Sequence, residues 1–79
     1  MKSKEKTIKI NEIKTFNSNA EIFGSDKDNE TYRFHIDFDT YPLIIKAKYR
    51  GLVQFRKAII RSLRERYENI RFICPKHLI

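Results

Sequence analysis

The chain lacks features on which secreted and membrane-spanning proteins depend. It has one cysteine in 79 residues, Cys74, so no intrachain disulfide can form and packing alone must hold the domain together. No stretch approaches the roughly 20 apolar residues of a membrane span, and the charged N-terminus leads into no apolar run of signal-peptide length. We therefore expect a cytoplasmic protein with no transmembrane segment.

Groups that would support catalysis are also scarce. The chain has two glycines and no glycine-rich phosphate loop, no Ser/His/Asp arrangement, and no carboxylate pair on an apolar face. Cys74 and His77 have a spacing seen in zinc ligands, but a structural zinc site takes about four ligands and the chain adds only His35. We predict a non-catalytic protein that holds no metal or other cofactor.

Size and charge favour a small binding module. A chain of 79 residues has room for one domain, residues 1–79, with a thin core to which ten aromatic residues contribute. The net charge of +7 is unevenly distributed: residues 15–42 carry −4, whereas residues 43–79 carry ten cations against two acids, or +8. Such a basic half raises the affinity for nucleic acid, for an acidic protein face or for anionic lipid.

Alternation of apolar and polar residues predicts a small antiparallel sheet of three to five strands. The clearest strand is 31–39, and a second run, 44–50, alternates as well, so we predict that the two form a hairpin. The remaining predicted strands are 6–13 with a bulge before Ile13, a weak strand at 22–24, and a short C-terminal edge strand at 70–74.

Helical periodicity follows Gly51. The apolar residues from Leu52 to about Glu68 recur on one face, which predicts a single amphipathic helix packed on one face of the sheet. The fold class expected from this order of elements is α+β.

Three cations at a spacing of two residues form the most specific motif. If 44–50 is a strand with Ile45, Ala47 and Tyr49 inward, then Lys46, Lys48 and Arg50 project from the open sheet face about 6.5 to 7 Å apart, a spacing suited to successive phosphates. The alternative is that Asp37 and Asp39, on the partner strand, neutralise this row through cross-strand pairs.

Three further residues complete the predicted anion site. Arg56 falls on the apolar side of the helix, where it either extends past the sheet edge or forms a small anion site with Lys48 and Arg50. Tyr41, in a turn beside Pro42, is the aromatic least explained by the core and the best candidate for base stacking. Arg71 adds a cation from the last strand.

A second basic stripe runs along the helix. It consists of Lys57, Arg61 and Arg64, which we interpret as a solvated face because Arg61 and Arg64 each precede a glutamate by four residues.

The stretch from Tyr32 to Lys76 resembles part of the phox-homology (PX) domain, a phosphoinositide-binding module, without its later helices. Lys48-Tyr49-Arg50-Gly51-Leu52 stands in the register where that family has Arg-Arg-Tyr-x-x-Phe, and Cys74-Pro75-Lys76 is similar to its proline-rich loop. The resemblance implies that Lys48 contacts a lipid phosphate and that Tyr49 packs on the inositol ring. Lysine in place of the phosphate-binding arginine would give up two-pronged geometry.

Three partners therefore remain open. Nucleic acid bound through residues 46–50 and the helix start is the leading hypothesis. The alternatives are an acidic face of a larger protein, reached through exposed strand edges at 6–13 and 70–74, and a phosphoinositide headgroup.

Overall fold

The computed structural model describes residues 6–79 and has an α+β fold, which confirms the predicted fold class. Residues 1–5, with their share of the N-terminal charge, lie outside the described residues. The strands are β1 (Lys6–Thr15), β2 (Asn19–Ser25), β3 (Thr31–Asp37) and β4 (Ile70–Ile73), and the helices are α1 (Leu43–Lys48) and α2 (Leu52–Arg66). A 3-10 turn at Lys76–Leu78 follows β4.

The four strands form one mixed sheet in the order β3-β2-β1-β4. Neighbours are antiparallel except β4, which runs parallel to β1 and pairs with it from Lys6↔Ile70 to Lys9↔Ile73. The prediction of an antiparallel sheet is wrong for the pair β1–β4. Helix α2 returns the chain to the end of the sheet where β1 begins, so β4 runs in the same direction as β1. The edge predicted at 70–74 is confirmed, whereas 6–13 belongs to a central strand and β3 forms the other edge.

The core lies between one face of the sheet and α2. Alternate strand residues are buried, as expected for a sheet covered on one side, and they meet the apolar stripe of the helix. A bulge between Ile10 and Glu12 shifts the phase so that Ile13 faces Ile22, which confirms the predicted irregularity. The buried side chains are Ile8, Ile10, Ala20, Ile22, Phe34, Ile36, Phe38, Ile44, Phe55, Ile59, Ile60, Leu63 and Phe72.

The predicted strand 44–50 is wrong, because residues 43–48 form helix α1. A run this short fits both periods, and the isoleucines favour a strand locally. Pro42 favours a helix instead: its φ of −62° suits a helix start, and its carbonyl accepts a hydrogen bond from the Ile45 amide at 3.1 Å. As a result Ile44 is fully buried and Tyr49 is 87% exposed, the reverse of the strand prediction.

Gly51 joins the two helices into a helical hairpin, residues 43–66. Its backbone has φ 116° and ψ 167°, a conformation that residues with a Cβ rarely adopt, and its carbonyl accepts the first helical hydrogen bond of α2, from Phe55. The chain therefore turns sharply after α1 and sets the two helices side by side. Helix α2 ends at Arg66, two residues before the predicted end.

Candidate nucleic-acid interface

The two helices enclose a groove of about 610 Å³ on the outer surface of the helical hairpin. Lys46 and Arg50 stand on its α1 side, and Lys57 and Arg61 stand on its α2 side. We call these four residues the groove cations and the space between them the basic groove. Its other lining residues are Thr40, Tyr41, Pro42, Leu43, Ala47, Gln54, Ala58, Ser62 and Glu65.

Helical spacing explains why the groove cations converge. Lys46 lies in α1 and Arg50 in the turn after its C-cap, Tyr49, whereas Lys57 and Arg61 are four residues apart within α2. Side chains separated by four residues lie on one side of a helix, about 6 Å apart along its axis. Lys57 and Arg61 therefore lie on one side of α2, and the turn after α1 places Arg50 in the same groove as Lys46.

Within residues 6–79 no acidic side chain forms an ion pair with the groove cations. The two ion pairs found in that range, Lys6–Asp26 and Arg33–Glu21, are both made by sheet residues and their connecting loop. All four groove cations are exposed, and Glu65 is the one acid in the lining. Between Asp39 and Glu65 the sequence has seven cations and no acid, so the whole helical hairpin up to that point is positive or neutral.

Arg61 and Arg64 of α2 are not held by the helical ion pairs predicted for them. In the described range Arg61 has no carboxylate within the 4.0 Å at which the sheet ion pairs form. Arg64 donates to the backbone carbonyl of Phe72, 3.2 Å away, and so ties α2 to β4. Arg61 is therefore available to a ligand, whereas Arg64 has a structural role.

Three of the six residues predicted for the anion site meet in the basic groove. Tyr41 lines one end of it, and Lys46 and Arg50 line the α1 side. The predicted row of three cations on the sheet is wrong, because successive helical residues are turned by about 100°. Lys48 therefore points away from Lys46, and its Nζ lies 5.8 Å from the ring centroid of Phe55.

The other two predicted residues lie elsewhere. Arg56 is half-buried on α2 outside the groove, and Arg71 is exposed on the sheet face opposite the helices. The predicted neutralisation by Asp37 and Asp39 is wrong as well, since no strand stands beside them at residues 44–50. Instead the carboxylate of Asp37 accepts a hydrogen bond from the Asp39 amide at 3.1 Å.

Lys57 and Arg61 were not predicted as residues of the anion site, although both line the basic groove. Their four-residue spacing is a visible signal, and so is the identical spacing of Lys46 and Arg50. The two pairs face each other only if 43–48 is a helix, so the strand prediction concealed their relation.

Tyr41 is held in place at its end of the groove. Its ring packs partly against the core, and its hydroxyl interacts with Arg66. The Tyr67 hydroxyl, 3.3 Å from Arg66 Nε, and then Tyr41 raise the pKa of the Arg66 guanidinium. A fifth positive charge therefore lies beside the aromatic end of the basic groove.

An exposed apolar surface adjoins the groove at the turn between the helices. Tyr49, Leu52 and Val53 are 87%, 57% and 46% exposed. We call these three residues the apolar corner. The prediction that Tyr49 faces the core is wrong, because it caps a helix that ends in solvent. Apolar side chains grouped at a surface favour contact with a partner.

A separate polar cluster closes the β2–β3 loop. Lys6 Nζ donates to the Tyr32 hydroxyl at 2.7 Å, and that hydroxyl donates to Asp26 at 2.9 Å. Partial desolvation would raise the pKa of Asp26, but the bonds from Tyr32 and from the backbone amides of Glu30 and Asp28 together hold it below its ordinary value. These polar groups bind one another within the protein, so the cluster is structural.

No metal-binding group of three or more His, Cys, Asp or Glu side chains occurs within residues 6–79. None of the helices in that range is long and apolar enough to cross a bilayer. Comparison with known proteins gives no match to a family model, to a curated protein or to a solved structure.

Proposed function

We propose that the protein is a non-catalytic cytoplasmic module that binds nucleic acid through the basic groove. The observation that carries the proposal is the set of four exposed groove cations without an ion-pair partner in the described range. A cluster of like charges destabilises a protein unless a ligand of opposite charge approaches it. Phosphate groups supply that charge, and they displace counterions when they bind.

The shape of the groove supports a strand of phosphates over a single small anion. The groove cations come from both sides of the groove, and Lys57 and Arg61 are about 6 Å apart along the axis of α2. An extended backbone lying in the groove places successive phosphates between the walls. Exposed arginine and lysine side chains adjust to it, which suits recognition of the backbone without a fixed sequence.

Filter binding or mobility shift at two salt concentrations tests the proposal. We expect binding of oligonucleotides at about 50 mM salt and a steep loss of affinity at about 200 mM. The double variant Lys57→Ala/Arg61→Ala should weaken binding at the lower salt, while Arg71→Ala, on the opposite face, should not. Undetectable binding at low salt would exclude the proposed function.

The apolar corner favours a second candidate, docking on a larger protein with an acidic rim. Leu52 and Val53 would fill a shallow apolar site while neighbouring cations meet the rim, as in many protein interfaces. A stoichiometric protein partner that survives nuclease treatment and is lost on Leu52→Ser supports this candidate. Loss of all co-purifying material on nuclease treatment supports nucleic acid.

The similarity to PX domains keeps a third candidate open, binding of a phosphoinositide headgroup at Lys48. It predicts flotation with vesicles that contain phosphoinositide, no flotation with neutral vesicles, and loss of flotation in Lys48→Ala. Because Lys48 lies outside the basic groove, the same substitution should leave oligonucleotide binding nearly unchanged.

A further inference from the structure

The basic groove is lined by apolar side chains as well as by cations. Pro42, Ala47 and Ala58 contribute small apolar side chains to the lining, and Tyr41 closes one end. Phosphates need only the cations at the rim. Apolar surface beside the groove cations therefore favours a ligand that has an apolar part as well as phosphates.

From this geometry we infer that the ligand of the basic groove is single-stranded nucleic acid, with an unpaired base packed against Tyr41 and its phosphates between the groove cations. The inference rests on the proposed function and specifies its substrate class. Bases have an apolar face irrespective of sequence, and stacking on an aromatic side chain is a general mode of single-strand binding.

Tyr41 is suited to this role by its surroundings. One side of the ring packs partly on the core, and another part of the residue lines the groove. A side chain that is already held loses little conformational entropy when a base packs on it. Tyr49, by contrast, is 87% exposed at the end of α1 and outside the groove, so it provides a matched aromatic control.

Duplex nucleic acid does not satisfy both parts of the groove. In a duplex the base faces are stacked on each other, and the outer surface presents phosphates and sugars. A duplex backbone would meet the groove cations but would leave the apolar lining residues and Tyr41 without a partner. Unpaired bases can turn outward and reach them.

The test compares three labelled ligands of equal length by fluorescence anisotropy: a single strand, its duplex, and an abasic strand that keeps every phosphate. We expect the single strand to bind about 5- to 150-fold more tightly than the abasic strand, the range that one stacked base provides. We also expect it to bind more tightly than the duplex.

Variants connect that preference to one side chain. Tyr41→Ala should remove the difference between the ordinary and abasic strands while leaving the salt dependence unchanged, and Tyr41→Phe and Tyr49→Ala should keep the difference. Tyr41 contacts the core, so we include Tyr41→Leu, which retains bulk without an aromatic face. A circular dichroism spectrum of each variant checks that the fold is intact. A preference that Tyr41→Leu retains would overturn the assignment to this ring.

The outcomes separate the two proposals. Equal affinity for ordinary and abasic strands, or tighter binding of the duplex, overturns the single-strand inference but leaves the proposed function in place if affinity still falls steeply with salt. Absence of binding to all three ligands at low salt overturns both.

Discussion

Replacing Arg61 by alanine should remove one ionic contact from the complex with single-stranded nucleic acid. The logarithm of affinity falls with the logarithm of salt concentration by about 0.7 for each phosphate that is neutralised on a single strand. With all four groove cations engaged, the expected slope for the unaltered protein is about −2.8. The Arg61→Ala variant should show about −2.1, which is the slope for three contacts.

These slopes give a difference that can be measured directly. Between 50 and 200 mM salt the unaltered protein should lose about 50-fold in affinity, and Arg61→Ala about 20-fold. Arg61 is exposed and has no ion-pair partner in the described range, so the substitution should leave the fold unchanged. Fluorescence anisotropy titrations at four or more salt concentrations provide the slopes.

Two matched variants make the measurement decisive. Arg61→Lys keeps the charge and should keep the full slope, although it loses the two-pronged contact of arginine. Arg71→Ala removes a cation from the opposite face of the sheet and should leave the slope at about −2.8. If Arg71→Ala makes the salt dependence as much shallower as Arg61→Ala does, phosphate is bound diffusely over the surface and the basic groove is not the site.

Four further predictions concern the fold. Ile44→Ala should lower the free energy of unfolding, measured by urea denaturation, by about 2 to 5 kcal/mol because Ile44 is fully buried. Tyr49→Ala should lower it by less than about 0.5 kcal/mol. The opposite order would support a strand at 44–50. Gly24→Ala should lower the free energy of unfolding by about 1 to 3 kcal/mol, because the alanine Cβ would lie 2.5 Å from a methyl of Ile8 and 2.8 Å from the backbone oxygen of Lys9. An unchanged urea midpoint would contradict this packing. The pKa of Asp26 is lower in the folded protein than its unfolded value of about 3.8, so the stabilisation by its carboxylate is present above that pH and is lost as the pH falls through the folded pKa. Asp26→Asn should therefore destabilise the protein at neutral pH and progressively less in acid. A difference in stability that does not depend on pH would contradict the shift. Burial raises the pKa of Cys74, so iodoacetamide should alkylate it more slowly in the folded protein than in urea at pH 8, and equal rates would show that the thiol is not shielded.

Most of the sheet and the long helix follow from patterns in the sequence. The alternation over residues 31–39, of which 31–37 form β3, and the helical stripe from Leu52 onward each belong to one element long enough to have a clear period. The bulge before Ile13 is also visible, because one extra residue in a strand reverses the phase of its alternation. These features are local, so the sequence alone is sufficient to predict them.

Features that depend on tertiary contacts could not be predicted in the same way. Residues 43–48 carry isoleucines typical of a strand, and the helix start at Pro42 together with the burial of Ile44 decides for a helix. The parallel pairing of β4 with β1 joins opposite ends of the described chain, which no local pattern reports. The candidate site was predicted in part because Tyr41, Lys46 and Arg50 are near one another in the sequence, whereas Lys57 and Arg61 join them only through the turn at Gly51.

The pairing of β4 with β1 also determines the order in which this protein can fold. During synthesis β1 emerges first, pairs with β2 on one side, and presents an open edge on the other until Ile70–Ile73 arrive. Closing that gap brings together segments from opposite ends of the described chain, a contact with a high entropic cost that slows folding. Until it closes, the nascent chain carries an unpaired strand edge flanked by Ile8 and Ile10, a surface prone to association with other chains. Ribosome-bound chains halted before residue 70 should therefore keep the β1 edge unpaired, and the arrival of β4 is the step that completes the sheet.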